Sequence, residues 1–330
     1  MSDGAPEGGE GARGLDTQPG APGVLLLAYG GPDRLDQVEA YYTDIRRGSP
    51  PPPELLAELL DRYRAIGGRS PLSDIVERQR VALAVELGRR DHRVPVYAGM
   101  RHIQPRIAAV VEQMAADGVR RIVALPLAPH RSLSTEAYRR AVVDALAGPG
   151  IPVAAAVGAA APALDFVGSW HEQPRLIEAL ADATDEALAR FPDRSRVGVL
   201  FTAHSLPLRL GPDAERYRRD VERTAALVAD RLGLARHFVA LQSAGRTGEA
   251  WLGPELRDEI RRLAESGLRE IVVCPVGFVA DHLEVLYDID IEAQAVARES
   301  GVHLERAPSM NDRPTFIAGL ADLVVDRLVG

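Results

Sequence analysis

The chain has 330 residues, 46% of them hydrophobic and 26% charged, the composition of an ordinary soluble globular protein longer than a single core usually serves. A formal charge of −8 argues against nucleic acid or an anionic membrane surface as partner and leaves room only for a local basic patch. The single cysteine, Cys274, excludes a disulfide framework and a self-contained four-cysteine metal or iron–sulfur site.

In chain order, residues 1–22 are rich in Gly, Pro, Ala and acid, lack a signal-type apolar region, and read as a disordered tail. VLLLAYGG follows as a buried strand ending in a glycine turn, and DQVEAYYTDIRR has helical spacing. PPPELLAELLDRYRAIGG is a helix opened by prolines and stopped by two glycines, and SDIVERQRVALAVELGRR is another. Strands VPVYAGM and RRIVALPLA are separated by the helix IQPRIAAVVEQMAADG, an order that predicts a parallel doubly wound sheet.

After a long helix in EQPRLIEALADATDEALARF the same order returns: RVGVLFTAH, DAERYRRDVERTAALVADRLG, HFVALQS, PELRDEIRRLAESG and REIVVCPVGF. RRIVALPLAPH aligns with REIVVCPVGFVADH, and VLLLAYGGP with VGVLFTAHSLP, which indicates a duplication. The expected fold class is therefore α/β, with two similar Rossmann-like lobes, 23–160 and 161–330. Each has a parallel sheet flanked by helices, and a cleft lies between them. Cys274, in the apolar run IVVCPV, reads as a core thiol and favours the intracellular side. No stretch is apolar for the length a membrane span requires.

The strand ends carry the chemistry. Tyr29 ends the first strand in LAYGGP, and His204 ends its counterpart in TAHSLP. Neutral imidazole accepts a proton near pH 7 or ligates a borderline metal such as Fe²⁺. HLEVLYDIDIE spaces Glu284, Asp288 and Glu292 four residues apart. An α-helix there would carry three carboxylates along one side, climbing about 12 Å, and would need a cation to offset their repulsion. Asp290 and His282 fall on other faces, and His282 is grouped with His92, His130, His171, His237 and His303 as structural or surface residues. A solvated acidic face explains most charge runs; the predicted convergence of His204 with Glu284 raises the functional reading above it. In the first lobe Arg46, Arg62, Tyr63 and Ser70, with Tyr138 further on, offer guanidinium and hydroxyl groups suited to carboxylates on a planar organic ligand. Phosphate-binding glycine loops and a nucleophile elbow are both missing, so nucleotide binding and Ser205 hydrolase chemistry have little support.

LLLAYGGPD, YYTDIRRG, DRYRAIGGRSPLSDI, AHSLP, QSAGRTGEAWLGPEL and PVGFVADHLEVLYDIDIE together resemble the ferrochelatase family, and within it the coproporphyrin ferrochelatase branch. The resemblance covers the whole chain after the tail. It implies insertion of Fe²⁺, as substrate, into coproporphyrin III to give coproheme on the way to haem b. By motif match it implies that His204 and Glu284 are the metal-handling and catalytic pair, with Asp288 and Glu292 as an outer relay. Tyr29 would be the axial contact on the opposite face of the ring, and Arg46, Arg62, Tyr63, Ser70 and Tyr138 would touch propionates or the macrocycle edge. It further implies a cytoplasmic monomer with no membrane lip, no permanently bound cofactor and no iron–sulfur cluster, working upstream of a coproheme decarboxylase. A sirohydrochlorin-type cobalt or nickel chelatase, or a non-enzymatic haem or metal carrier on the same scaffold, would share the pattern of His and carboxylates.

Overall fold

Two four-stranded parallel sheets organise the chain in a computed structural model that describes residues 21–148, 161–245 and 248–329. The segment expected to form a tail lies outside the described residues except for Ala21 and Pro22, and Pro22 already opens the first strand. The first sheet contains β1 (Pro22–Ala28), β2 (Val96–Met100), β3 (Arg121–Pro126) and β4 (Ala163–Phe166), in the order β2-β1-β3-β4. The second contains β5 (Gly198–His204), β6 (His237–Gln242), β7 (Glu270–Cys274) and β8 (His303–Arg306), in the order β6-β5-β7-β8. The two orders are the same once the second set is renumbered, so the duplication read in the sequence is a duplication of topology. β4 pairs with β3, which carries the first sheet to Phe166, past the boundary expected at 160/161.

The first lobe adds α1 (Val38–Ile45), α2 (Pro53–Ala65), α3 (Leu72–Arg89), α4 (Ile107–Ala116) and α5 (Leu133–Leu146). Between the sheets runs α6 (Pro174–Leu188), followed by α7 (Pro212–Leu232), α8 (Leu256–Glu265), α9 (Leu283–Leu286), α10 (Gln294–Glu299) and α11 (Pro314–Val329). Alternation along each strand assigns side chains to two faces. Leu25, Leu27, Ile122 and Ala124 pack under α4 and α5, while Val24, Leu26, Val123 and Leu125 join a cluster that continues through α6 into Val199, Phe201 and Val272 of the second sheet. Helix α6 buries Ala179, Ala181, Ala183 and Ala187 among its larger residues, and these short side chains let α7, α11 and the strands β7 and β8 pack closely on it. Helix α11, from the end of the chain, packs on α3 and α6, with Arg90 and Arg175 both paired to Asp322 at 2.6 and 3.0 Å. Cys274 is buried in this shared core, where desolvation pushes its thiol up to about 12. Among the described residues no helix is long and apolar enough to cross a membrane.

Candidate active site

The carboxyl ends of the inner strands of both sheets open into one cavity of about 880 Å³, within the size range of sites for cofactor-sized ligands. On the first-lobe side β1 ends at Ala28 and delivers Tyr29. The next two residues must be small: Gly30 has φ +84°, and a Cβ on Gly31 would stand 2.6 Å from Ser70 Oγ. The tight turn brings buried Ser70 against the strand end. The Tyr29 ring lies 4.4 Å from that of His102, whose Nδ1 is 2.6 Å from Asp44, and Arg106 holds Asp44 through bonds of 2.8 and 3.1 Å. Burial, then the Glu284 carboxylate, push the Tyr29 phenol up to about 12, so at neutral pH this side presents a protonated hydroxyl.

On the second-lobe side β5 delivers His204. The turn after β7 passes so near that a Cβ on Gly277 would lie 2.5 Å from Ala203 Cβ and 2.7 Å from its Cα. Because both atoms are anchored to the strand, Gly277→Ala is expected to destabilise the fold by about 1–3 kcal/mol and to lower activity by shifting His204. Urea unfolding beside a turnover assay checks this. His204 Nδ1 sits 2.5 Å from the Ser205 carbonyl, which leaves Nε2 facing Glu284 Oε1 at 3.5 Å. Burial pulls the His204 imidazole down, but the Glu284 carboxylate outweighs it and leaves the ring at about 9. Burial acts on Glu284 in the raising direction and is overcome by His204 and His282, which hold it well below the usual carboxylate range. At neutral pH the pair is therefore imidazolium and carboxylate.

The acidic segment departs from the expected α-helix. Helix α9 covers only Leu283–Leu286, and Asp288–Ala293 is a π-turn in which Glu292 N–H donates to the Tyr287 carbonyl at 3.0 Å. Asp288 is buried, accepts from Ser243 Oγ at 2.5 Å, and is raised to about 6 by burial and by Glu284. The compensating cations are Arg62, 3.6 Å from Asp288 and 3.7 Å from Glu292, and Arg257, 3.3 Å from Glu292. Asp290 does point elsewhere: Arg306 grips it at 2.6 and 3.0 Å and also reaches Asp281 at 3.2 Å, fastening both ends of the segment to β8. Among the described residues no three His, Cys, Asp or Glu side chains converge closely enough to hold an ion in this arrangement.

Residues 21–328 match the family model for ferrochelatase. The chain belongs to the ferrochelatase family. It is 44% identical over 320 residues to a ferrochelatase from Thermus thermophilus, which covers 91% of this chain and 98% of the relative. It is 40% identical over 311 residues to a coproporphyrin III ferrochelatase from Geobacillus kaustophilus, covering 92% and 95%. The solved structure of SirB from Bacillus subtilis with Fe³⁺ shares the fold, with a TM-score of 0.58 at 12% identity over 92% of this chain and 94% of that one. As a ferrochelatase the chain is a metal chelatase that inserts a metal ion into a porphyrin, which sets aside the non-enzymatic carrier.

The ferrochelatase cavity collects every site residue expected from the sequence: Tyr29, Arg46, Arg62, Tyr63, Ser70 and Tyr138 from the first lobe, and His204, Glu284, Asp288 and Glu292 from the second. Tyr63, Ser70 and Tyr138 are almost fully buried in its wall. Arg62 stacks 4.9 Å over Tyr287 and serves the acidic segment, so its guanidinium faces carboxylates of the protein. His282 requires a correction. Its extended backbone (φ −159°) at the head of α9 turns the ring back, and Nε2 lies 3.5 Å from Glu284 Oε2, on the opposite side from His204. Gln242 and Ser243 also line the cavity and carried no sequence expectation. Their signals were membership of the QSAGRTGEAWLGPEL motif, to which no role was attached, and position: Gln242 ends, and Ser243 follows, a strand beside the one that ends in His204.

Proposed function

We propose that this ferrochelatase inserts Fe²⁺ into coproporphyrin III to form iron coproporphyrin III, on the coproporphyrin-dependent route to haem b. The observation that carries the reading is the 3.5 Å pairing of His204 with Glu284 in the same cavity as Tyr29. Relatives about 40% identical bear the name coproporphyrin III ferrochelatase, which supports the substrate. Fe²⁺ is a substrate in this reading, no resident cofactor takes part, and the product passes to a decarboxylase.

Insertion exchanges one divalent cation for the two pyrrole N–H protons, so the site must accept protons where it delivers positive charge. In the resting state the His204 ring already holds a proton, because Glu284 stabilises the imidazolium. A cation arriving at Glu284 takes over that carboxylate, and the imidazolium, now beside a second positive charge, releases its proton. Asp288, titrating near neutrality, and Glu292 lead that proton outward. Neutral Nε2 then accepts one pyrrole proton, passes it outward by the same carboxylates and accepts the second, so that both protons replaced by the cation leave the ring. Arg46, at the mouth beside Tyr42, is placed to meet a propionate.

Substrate choice tests the proposal. Coproporphyrin III has two more propionates than protoporphyrin IX, and one charge-assisted hydrogen bond made only by the former corresponds to about tenfold or more in kcat/KM. Fe²⁺ insertion under anaerobic conditions should show at least that preference. Equal or faster metalation of protoporphyrin IX would refute the substrate assignment.

A further inference from the structure

Gln242 ends β6, is 1% exposed, and lies in register with His204 across the ladder between β5 and β6. Its backbone carbonyl accepts the N–H of Ser205, the residue after His204, at 2.8 Å. Its side-chain Nε2 donates to the backbone carbonyl of Glu284 at 2.6 Å. One buried residue is thus bonded on one side to the strand end that carries His204 and on the other to the turn that carries Glu284. The partner decides the orientation of the amide, since its oxygen would be repelled by the Glu284 carbonyl. That orientation leaves Gln242 Oε1 buried with no hydrogen-bond partner. An unpaired buried amide oxygen is unfavourable, and an apolar side chain would fill the space without it. What the amide supplies in return is the bond to Glu284.

We propose that Gln242 is a positioning residue that sets the separation of His204 and Glu284 and thereby the capture of the metal ion, an inference that rests on the metal-handling role of that pair. The carbonyl it holds belongs to the residue whose carboxylate faces His204, at the first turn of a four-residue helix. Without the bond, the Glu284 end of α9 keeps only the packing of Val285 and the more distant ties of Asp281 and Asp290 to Arg306, and the 3.5 Å gap is less sharply fixed. Although Gln242 lines the cavity, it is 1% exposed with its amide turned to Glu284, and the side chains assigned to the macrocycle stand on the first lobe, so those contacts stay in place.

The test uses Gln242→Met, which keeps the volume and removes the donor, with Gln242→Asn, one methylene too short to reach, as a second variant. Co²⁺ binding to the enzyme without porphyrin is read from its visible absorption bands, which report the ligands directly and need no turnover. Each Gln242 variant should weaken Co²⁺ about tenfold, the scale of one hydrogen bond, while the porphyrin dissociation constant from fluorescence quenching stays within about twofold of wild type. In a Glu284→Gln background the Gln242 substitution should have no further effect on Co²⁺. Unchanged Co²⁺ affinity in a folded variant, or effects that simply add, would overturn the inference and leave the pair intact. Wild-type Co²⁺ affinity in Glu284→Gln alone would instead remove the reading on which it rests.

Discussion

His204→Ala is expected to lower kcat about a thousandfold while porphyrin affinity stays within about twofold of wild type, the size of effect that follows from removing a positioned proton acceptor. Among the described residues the cavity is lined by two other imidazoles, and neither can take over. His130 is buried, bonded through Nε2 to Thr224 at 2.9 Å, and pulled down to about 3 by desolvation and by His171, so it does not hold a proton near neutrality. His282 stands on the far side of Glu284 with Nδ1 3.0 Å from the Ala280 carbonyl. Glu284→Gln keeps the shape and deletes the anion, and its turnover should fall at least a hundredfold for want of a carboxylate to receive the cation. Single-turnover insertion separates both losses from product release, and fluorescence quenching gives porphyrin affinity. Turnover near wild type in either variant would sink the role assigned to that residue.

Much of this site could be read from the sequence because its residues sit at strand ends, where a parallel sheet must present them. VLLLA and VGVLF are runs too apolar to be anything but buried strands, and each stops on the residue that faces the cavity, Tyr29 or His204. The short edge strands β4 and β8 were missed: ALDF and HLER are four residues each, without the apolar run that marks a central strand. The π-turn was also beyond reach. A spacing of four between Glu284, Asp288 and Glu292 suits an α-helix as well, and what widens the turn is held from outside it, by Ser243 on Asp288 and Arg306 on Asp290. The importance of Gln242 depends on the pairing of β5 with β6, which no local pattern encodes. His282 failed for a different reason: it was assigned a face of a helix that it only begins.

In Glu284→Gln the His204 imidazole is expected to titrate at or below the ordinary value near 6.5, down from about 9 in the wild type. The direction follows from the opposing causes. Burial already pulls the ring down, and the Glu284 charge is the first of the influences that lift it, so deleting that charge leaves desolvation opposed mainly by Asp288 and the bond to Ser205. With a value near 9, only about 1% of His204 is neutral at pH 7, and a cation must displace its proton. Metal affinity in the wild type should therefore rise about tenfold per pH unit up to about 9, whereas in Glu284→Gln that slope should end near 6.5. The stability contribution has its own window. A raised folded-state value contributes stability that is complete below 6.5 and lost as pH rises through about 9. The depressed Glu284 is the same pairing seen from its other side, so the contribution is present between the ordinary 4.5 of a glutamate and about 9, and is lost as pH falls through the depressed Glu284 value or rises through about 9. The gap in Tm between wild type and Glu284→Gln should accordingly be open at pH 7 and largely closed at pH 10. NMR titration of the His204 ring decides the matter, because an inflection near 6.5 in the wild type would mean that Glu284 does not hold the proton and that cation and proton do not compete there.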